Sequence, residues 1–348
     1  MPASPFPRCS VGACDELAIS FSPFCWEHTP RENYSAHLKT KLPTLISEPT
    51  PLNLKKVECE GLDFSQLDLK NSSFSQAHLS DCRFVGTALS QSDMIGITLK
   101  SCDFVGADMQ DVNLTRAKVS NCTFSYSDLR RACLSDAHLR EADLMGTMLY
   151  DANLWNIELV GVKHLKKKNF VDAESDPRDR RISLYEKDSL VACESYRTLK
   201  HYLHEKGLYD DAGWAAYREL TMERKFYFET RNPRYMLSLF MDILSGYTQM
   251  PSRVIVSSLV LIFAFAFAYF IFNVPTAYSG YAPNTHVHVA SFWDCLYFSF
   301  ITFTTVGYGD FIPRAVPLLR ILVCMEAFSG PFMAGLYIFT LTRRYAVS

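Results

Sequence analysis

Thr302-Phe-Thr-Thr-Val-Gly-Tyr-Gly-Asp310 is the stretch of this 348-residue sequence that decides the fold of its C-terminal part. An extended backbone whose carbonyl groups all point at one axis can replace the hydration shell of a bare cation. Gly307 and Gly309 have no Cβ and can take the unusual dihedral angles that such a path requires. We expect Val306 and Tyr308 to point away from the axis and to pack against the preceding helix.

Apolar segments of different lengths flank this stretch. Val254 to Phe272 has nineteen residues without a charge, which is enough to cross a hydrocarbon core of about 30 Å. Ala315 to Leu341 is a second long apolar segment, interrupted only by Arg320 and Glu326. Phe292 to Phe303 is apolar but too short to span, so it is predicted to be a re-entrant helix. The order predicts two membrane spans around a pore helix in a lipid bilayer.

Apart from Arg320, lysine and arginine residues lie outside the two spans, and the segment 273–291 that joins the spans contains neither. By the positive-inside rule, both termini are expected in the cytoplasm and the joining turret outside, in a multi-pass protein of the cell membrane. Residues 233–249 have an apolar stripe at helical spacing and are expected to form a helix along the inner interface. The basic residues are Arg218, Arg224, Lys225, Arg231, Arg234 and Arg253 before the first span, and Arg343 and Arg344 after the second.

The segment between the pore helix and the second span resembles the selectivity filter of the tetrameric potassium-channel family, and the resemblance covers about 234–345. It implies that K⁺ is the permeant ion and that four identical subunits surround one axis, because each supplies one strand of the filter. No helix carries arginine at every third position, so no voltage sensor is expected. The filter residues that the resemblance assigns are Thr304, Thr305, Val306, Gly307, Tyr308, Gly309 and Asp310.

The second span contains three candidate gating residues. Gly330 lies where the channel family often has a bending glycine, and Pro331 after it removes a backbone hydrogen bond and favours a kink. The alternative is a helix that is kinked for packing alone. Glu326 is an ionisable group inside a membrane span, so we expect it to face protein and to tie the inner helix to the pore helix.

The N-terminal half contains a repeat of five residues. A period of five fits neither a helix nor a flat strand, but it fits a coil with four short sides whose central residues point inward. One coil cannot bury its own apolar face, so stacked coils are needed to form a core. The large apolar residues are Phe64, Leu69, Phe74, Leu79, Phe84, Leu89, Met94, Leu99, Phe104, Met109, Leu114, Val119, Phe124, Leu129, Leu134, Leu139, Leu144, Leu149, Leu154 and Leu159.

These residues resemble the pentapeptide-repeat family over about 54–161, which implies a right-handed quadrilateral β-helix. With four units to a coil, residues twenty apart are expected to stack at the inter-strand spacing of about 4.8 Å. An aromatic column and a thiol column follow from that register, and plain packing of the thiols is favoured over disulfides. The columns consist of Phe64, Phe84, Phe104 and Phe124, and of Cys82, Cys102 and Cys122.

A compact cluster near the N-terminus has the ligand count of a closed tetrahedral zinc site. It consists of Cys9, Cys14, Cys25 and His28. His37 is a weaker alternative for the fourth ligand, and the other interpretation is a set of loose terminal thiols. Four protein ligands leave no open coordination position, so the predicted Zn²⁺ has a structural role.

The chain is therefore expected to be a multidomain membrane protein. The two-helix pore follows a zinc-knuckle-like segment, the β-helix and a charged linker with a helical hairpin broken at Gly207. The start of the chain lacks the features of a secretory signal peptide. The zinc-knuckle-like segment is predicted over 1–50, the β-helix over 51–163, the linker and hairpin over 164–233, and the pore region over 234–348.

Taken together, these features predict a potassium-channel subunit, not an enzyme, since no nucleotide-binding fingerprint or catalytic triad is recognisable. The β-helix is expected to regulate the pore, through an unknown cytoplasmic protein or ligand. The alternative is a membrane-anchored interaction scaffold with a non-conducting pore. A net charge of −2 does not indicate nucleic-acid binding, and thirteen acidic against eight basic residues in 61–160 is a modest excess for a DNA mimic.

Overall fold

The computed structural model describes residues 6–12, 14–46, 50–171, 184–277 and 291–345. The chain divides into two compact units, Met1–Phe226 and Tyr227–Ser348, which we call the N-terminal unit and the C-terminal unit. The first three predicted segments therefore fall mostly within one unit. Most of the predicted turret lies outside the described residues, as does the part of the charged linker between 172 and 183.

The five-residue repeat forms a β-solenoid of stacked four-sided coils. Its strands pair in parallel with an offset of twenty residues, so that Cys59 lies opposite Leu79 and Leu79 opposite Leu99. Single bridges with the same offset follow the other three sides, for example between Asp63 and Arg83. The predicted four-sided coil is confirmed. Its strands are β1 (Glu58–Glu60), β2 (His78–Ser80), β3 (Thr98–Lys100), β4 (Lys118–Ser120), β5 (His138–Arg140) and β6 (Glu158–Val160).

An aromatic column fills the interior of the coils, as predicted. Phe64 stacks on Phe84, Phe84 on Phe104, and Phe104 on Phe124, with ring centroids 4.6, 4.7 and 5.0 Å apart. The rings are almost parallel because each repeats the position of the one below at the strand spacing. The three predicted column cysteines are buried free thiols, in agreement with plain packing.

The corners of the coils depend on a backbone conformation that the sequence pattern did not reveal. Two positions after each central residue, the chain takes a positive φ, as at Asn71, Asp81 and Asp111. Glycine, asparagine and aspartate tolerate this region best, and they are frequent at these corners. The carboxylate of Asp63 accepts a hydrogen bond from the backbone N–H of Ser65, and the same turn recurs along the solenoid.

The N-terminal end of the solenoid is covered by the segment that precedes it. Asn53 in the first coil donates its side-chain amide to the Ala18 carbonyl, and its backbone N–H donates to Ser20 Oγ. Lys55 Nζ lies 2.8 Å from Glu16 Oε2. Helix α1 (Arg31–Lys41) adds buried apolar residues to the same core. This end of the solenoid is therefore protected from pairing with another chain.

The C-terminal end is covered by a helical hairpin, α2 (Ser189–Glu205) and α3 (Tyr209–Glu229), which was predicted mainly as a spacer. Tyr202 Oη donates to the Val162 carbonyl at 2.9 Å. The rings of Phe170 and Trp214 lie 5.9 Å apart. The hairpin therefore buries part of its apolar face on the last coil, where it acts as an end cap.

The C-terminal unit contains two helices that are long and apolar enough to cross a membrane. The helix between them begins and ends at the residues predicted for the re-entrant helix. A short antiparallel strand pair joins the chain after the first long helix to the chain after the predicted filter segment. The elements are α4 (Arg234–Ser245), α5 (Pro251–Phe272), β7 (Pro275–Ala277), α6 (Phe292–Phe303), β8 (Phe311–Pro313) and α7 (Pro317–Tyr345).

Candidate functional site

The predicted filter segment begins where α6 ends. The Thr304 hydroxyl donates to the Phe300 carbonyl at 2.8 Å and closes the last turn of the helix. The backbone N–H groups of Val306 and Gly307 both donate to the Ile301 carbonyl, at 3.0 and 3.2 Å. The helix terminus therefore fixes the start of the segment, and β8 begins directly after its last residue.

The two glycines of the segment have positive φ angles, +48° at Gly307 and +80° at Gly309. A Cβ at either position would meet no atom of the same chain within 4 Å. Within one chain, these two positions therefore favour glycine because of the positive φ angle and not because a side chain would meet neighbouring atoms.

Val306 and Tyr308 are largely exposed in one chain, and the expectation that they pack against the preceding helix stays a prediction. Their exposed fractions in one chain are 51% and 74%. Much of the surface of both side chains therefore has no contact within one chain.

Glu326 lies on α7 and is fully buried, as expected for an ionisable group in a span. Tyr269 Oη on α5 donates to its Oε2 at 2.5 Å, and Ser299 Oγ on α6 lies within hydrogen-bond distance of its Oε1. The predicted tie between the inner helix and the pore helix is therefore present. The sequence did not identify Tyr269 and Ser299 as the partners of Glu326, because each is distinguished only by a hydroxyl group within an apolar helix.

Gly330 lies where α7 passes closest to the end of α6. A Cβ at this position would lie 1.8 Å from the carbonyl oxygen of Phe303, a distance that no packed atom tolerates. Helix α7 runs without interruption from Pro317 to Tyr345 and contains Pro331 in its interior. The geometry explains the glycine by close packing against α6, and both the hinge role and the kink stay predictions.

The N-terminal cysteine and histidine cluster assembles as predicted. One possible ligand atom from each of Cys9, Cys14, Cys25 and His28 lies within 4.8 Å of all the others. A tetrahedral zinc ion with Zn–S bonds of about 2.3 Å separates two thiolate sulfurs by about 3.8 Å. The Sγ atoms of Cys14 and Cys25 are 3.8 Å apart, and His28 Nδ1 lies 3.5 and 3.2 Å from the Sγ atoms of Cys9 and Cys25. The four residues fit such an ion, and His37 is not part of the group.

A short loop and a turn present these ligands. The backbone N–H of Cys9 donates to the Glu16 carbonyl at 2.9 Å, and the 3₁₀ turn Trp26–His28 follows Cys25 directly. Burial opposes ionisation of the Cys9 thiol, but hydrogen bonds from the backbone at Cys25 and Val11 and from the side chains of His28 and Cys25 outweigh it. They lower the pKa of this thiol to about 6. A thiolate is the form that binds metal.

Two family models match separate parts of the chain. An ion-channel family model matches residues 255–346. A model of eight pentapeptide repeats matches residues 58–96, 92–131 and 127–163. No curated relative matches the chain.

Several solved pentapeptide-repeat structures are similar to about a third of the chain. QnrB1, a plasmid-mediated fluoroquinolone resistance protein, is 19% identical over 33% of this chain and 66% of its own, with a TM-score of 0.22. The chain thus spans about two thirds of that protein. Rfr23 from the cyanobacterium Cyanothece 51142 is 21% identical over 30% of this chain and 85% of its own, with a TM-score of 0.19. HetL from Nostoc sp. strain PCC 7120 is 20% identical over 32% of this chain and 84% of its own, with a TM-score of 0.15.

Proposed function

We propose that this chain, a pentapeptide-repeat region joined to an ion-channel region, is one subunit of a potassium-selective channel. One observation carries the proposal. The segment Thr304–Asp310 follows a pore helix that is too short to span and precedes a long apolar helix, and its two glycines have positive φ. Such a backbone can supply successive carbonyl oxygens to a dehydrated K⁺ ion.

A homotetramer is proposed because one chain leaves the site incomplete. Four copies are needed for a filter around one axis. The exposed apolar residues of α7 also repeat at alternating spacings of three and four, the pattern by which helices pack side by side. This stripe, which we call the α7 stripe, consists of Leu318, Ile321, Met325, Phe328 and Phe332.

The test is the reversal potential of the purified protein in planar bilayers, with K⁺ and Na⁺ on opposite sides. We expect the potential to follow the K⁺ gradient. Gly307→Ala is expected to abolish the selective current, because an L-residue resists the positive φ at this position. A reversal potential that is insensitive to K⁺ would refute the selectivity. An absence of any current from assembled tetramers would instead favour the alternative, a non-conducting anchor for an interaction scaffold.

The proposed orientation places the pore in the cell membrane (inner or plasma membrane) and both termini in the cytoplasm. Its support is the distribution of basic residues, together with α4, which has an exposed apolar face that includes Met236, Leu237 and Phe240. A membrane-impermeant thiol reagent should therefore not label Cys133, a partly exposed thiol outside the cysteine and histidine cluster, in intact cells, and should label it once the cells are permeabilised. Labelling in intact cells would show that this part of the chain faces the outside and would contradict the proposed orientation.

We also propose that the cysteine and histidine cluster holds one structural Zn²⁺ per chain. Four ligands of the preferred types meet at distances that fit a tetrahedral ion. The residues would hold the loop of Cys9 and Cys14 against the turn after Cys25.

Metal analysis of the purified protein tests this assignment. We expect one zinc ion per chain in the wild type and a loss of metal in Cys25→Ser. Cobalt exchanged into the site should show the absorption of a thiolate-bound tetrahedral ion. Cys133→Ser is the control, because Cys133 is a solenoid thiol remote from the cluster in sequence, and it should leave the zinc content unchanged. Equal zinc content in Cys25→Ser would refute the site.

We further propose that the N-terminal unit regulates the pore. The division between the two units falls within a continuous helix, α3, and helices transmit motion that a disordered linker would absorb. The hairpin caps the last coil, so a deletion that ended at residue 163 would expose the apolar face of the hairpin. The deletion should therefore remove residues 1–226 together. If the unit regulates gating, the deletion changes the open probability and leaves the single-channel conductance unchanged. A lower tetramer yield with unchanged open probability would show a role in assembly only.

A further inference from the structure

A buried polar cluster connects three helices behind the proposed filter. Glu326 is at its centre, with Tyr269 and Ser299 as its two hydrogen-bond partners. Ser299 Oγ also lies 2.8 Å from the carbonyl oxygen of Ile262 on α5. Among the described residues, no cation forms an ion pair with Glu326. We call Glu326, Tyr269 and Ser299 the three-helix cluster.

The number of hydrogen atoms in this cluster indicates the form of Glu326. There are three close contacts between oxygen atoms, but the Tyr269 and Ser299 hydroxyls each carry only one hydrogen. An ionised carboxylate adds none, so one contact would bring two lone pairs together. A protonated carboxyl supplies the third hydrogen. Glu326 then donates to Ser299, Ser299 donates to the Ile262 carbonyl, and Tyr269 donates to the other oxygen of Glu326.

The cost of burial points the same way. A carboxylate that is removed from water without a cation beside it is strongly destabilised, whereas a neutral carboxyl with satisfied hydrogen bonds is tolerated. Hydroxyl donors alone stabilise a buried anion less than a charged partner does. The cluster therefore favours a carboxylic acid.

The cluster also lies in register with the second contact between the same two helices. Glu326 meets Ser299, and four residues later Gly330 meets Phe303. One turn on each helix separates the two contacts, so α7 and α6 remain in contact up to the residue before the filter segment. A movement of α7 at this level would move the start of that segment.

We propose that Glu326 is a positioning residue that, as a neutral carboxylic acid, holds α6 against α5 and α7 and thereby keeps the filter in its conducting form. This inference rests on the proposed channel function and adds the residue that maintains the filter. Tyr269 and Ser299 act with it, and none of the three touches the permeating ion.

Substitution of Glu326 by glutamine separates the two forms of the residue. Glutamine is neutral, accepts from Tyr269 and donates to Ser299, so Glu326→Gln is expected to keep the K⁺/Na⁺ permeability ratio and the open-state lifetime within about twofold of wild type. Glu326→Ala leaves two buried hydroxyls without their partner and should shorten the conducting state at least about tenfold. Thr340→Ala is the control, because Thr340 is buried on the same helix and bonds its own backbone, at the Tyr337 carbonyl.

Infrared spectroscopy gives a readout that does not depend on current. The wild-type protein should show the C=O stretch of a protonated carboxyl group that is absent from Glu326→Gln. Its absence from the wild type would overturn the neutral form. If Glu326→Ala fails to assemble, Tyr269→Phe and Ser299→Ala replace it, and each should shorten the conducting state by a smaller factor.

The outcomes distinguish this inference from the proposed function. A wild-type channel that is not K⁺-selective would refute the proposed function. The infrared spectrum would still show, independently of current, whether Glu326 is protonated. A selective wild type whose Gln variant behaves like the Ala variant would overturn the inference, as would an Ala variant with unchanged open-state lifetime.

Discussion

The aromatic column of the solenoid and the outer face of α7 contain the same kinds of side chain in opposite surroundings. Phe104 is completely buried between the rings of its two neighbours, whereas Phe328 is 78% exposed in a single chain. The column is completed within one chain because each coil supplies the next layer. The face of α7 has no such neighbours in one chain, and in the proposed channel lipid or other subunits would cover it.

The difference shows how each unit uses the hydrophobic effect. In the N-terminal unit, apolar residues leave water as the chain folds, so burial contributes directly to the free energy of unfolding. In the C-terminal unit, much of the apolar surface remains exposed in one chain and is available to a bilayer, where packing between helices decides the structure. Substitutions in the N-terminal unit should therefore lower the free energy of unfolding, whereas substitutions in the C-terminal unit should affect assembly and current.

The largest effect is expected at the close contact between α6 and α7. Gly330→Ala places a Cβ against the Phe303 carbonyl and should abolish K⁺ current and tetramer formation. Gly335→Ala on the same helix is the matched control, since its Cβ would meet nothing within 4 Å. We expect near wild-type current from the control, measured in bilayers at equal amounts of protein. Normal current in Gly330→Ala would show that this contact does not determine the pore.

A phenylalanine truncation in each unit tests the comparison directly. Phe104→Ala should lower the free energy of unfolding of the N-terminal unit by about 3–5 kcal/mol, because it leaves a cavity in the column. Phe328→Ala should leave that free energy unchanged and weaken the tetramer in detergent. Denaturant titration followed by tryptophan fluorescence measures the first effect, since Trp26, Trp155 and Trp214 belong to the N-terminal unit. Similar losses from both variants would contradict the comparison.

The smallest effect concerns the ion pairs between Glu16, which follows the loop of Cys9 and Cys14, and Lys55 and Lys56 of the solenoid. The hydrogen bond from Lys55, together with the charges of Lys55 and Lys56, outweighs desolvation and holds the pKa of Glu16 below its usual value of about 4.5. A lowered pKa in the folded state means that the carboxylate stabilises the fold above pH 4.5 and that this contribution is lost as the pH falls below it. Because Glu16 is partly exposed, Glu16→Gln should cost less than about 1 kcal/mol at pH 7.

The pH profile is the measurement that checks this pair. Wild type and Glu16→Gln should differ in unfolding free energy at pH 7 and converge in acid, as the wild-type carboxylate becomes protonated. Asp15→Asn is a suitable control, because the Asp15 carboxylate is exposed and lies 3.6 Å from the exposed Arg8 guanidinium. A constant difference at all pH values would show that Glu16 acts through packing and not through its charge.

The elements that the sequence predicted well are those whose pattern is local. The column from Phe64 to Phe124 repeats every twenty residues, and the pore helix is an apolar segment bounded by Ser291 and Thr304. The cysteine cluster also assembles from residues that are close in sequence. In each case neighbouring residues contain the information, so spacing alone is sufficient.

The features that the sequence did not reveal depend on contacts between distant segments. Glu326 was expected to reach the pore helix, but Tyr269 lies 57 positions away and nothing in the apolar pattern distinguishes it. The role of Gly330 depends on how closely another backbone approaches. The hairpin was predicted as a spacer because its apolar face has a partner only once the last coil exists.

The twenty-residue offset of the solenoid has a consequence for how such a chain can change in length. Removal of residues 84–103 would join Arg83 to Phe104 and return every later side chain to its own column. Removal of five residues would instead turn the rest of the solenoid by one side and present a different face to any partner. Insertions and deletions are therefore expected in whole coils. Each whole coil changes the length by about 4.8 Å and leaves both end caps and all four faces as they were.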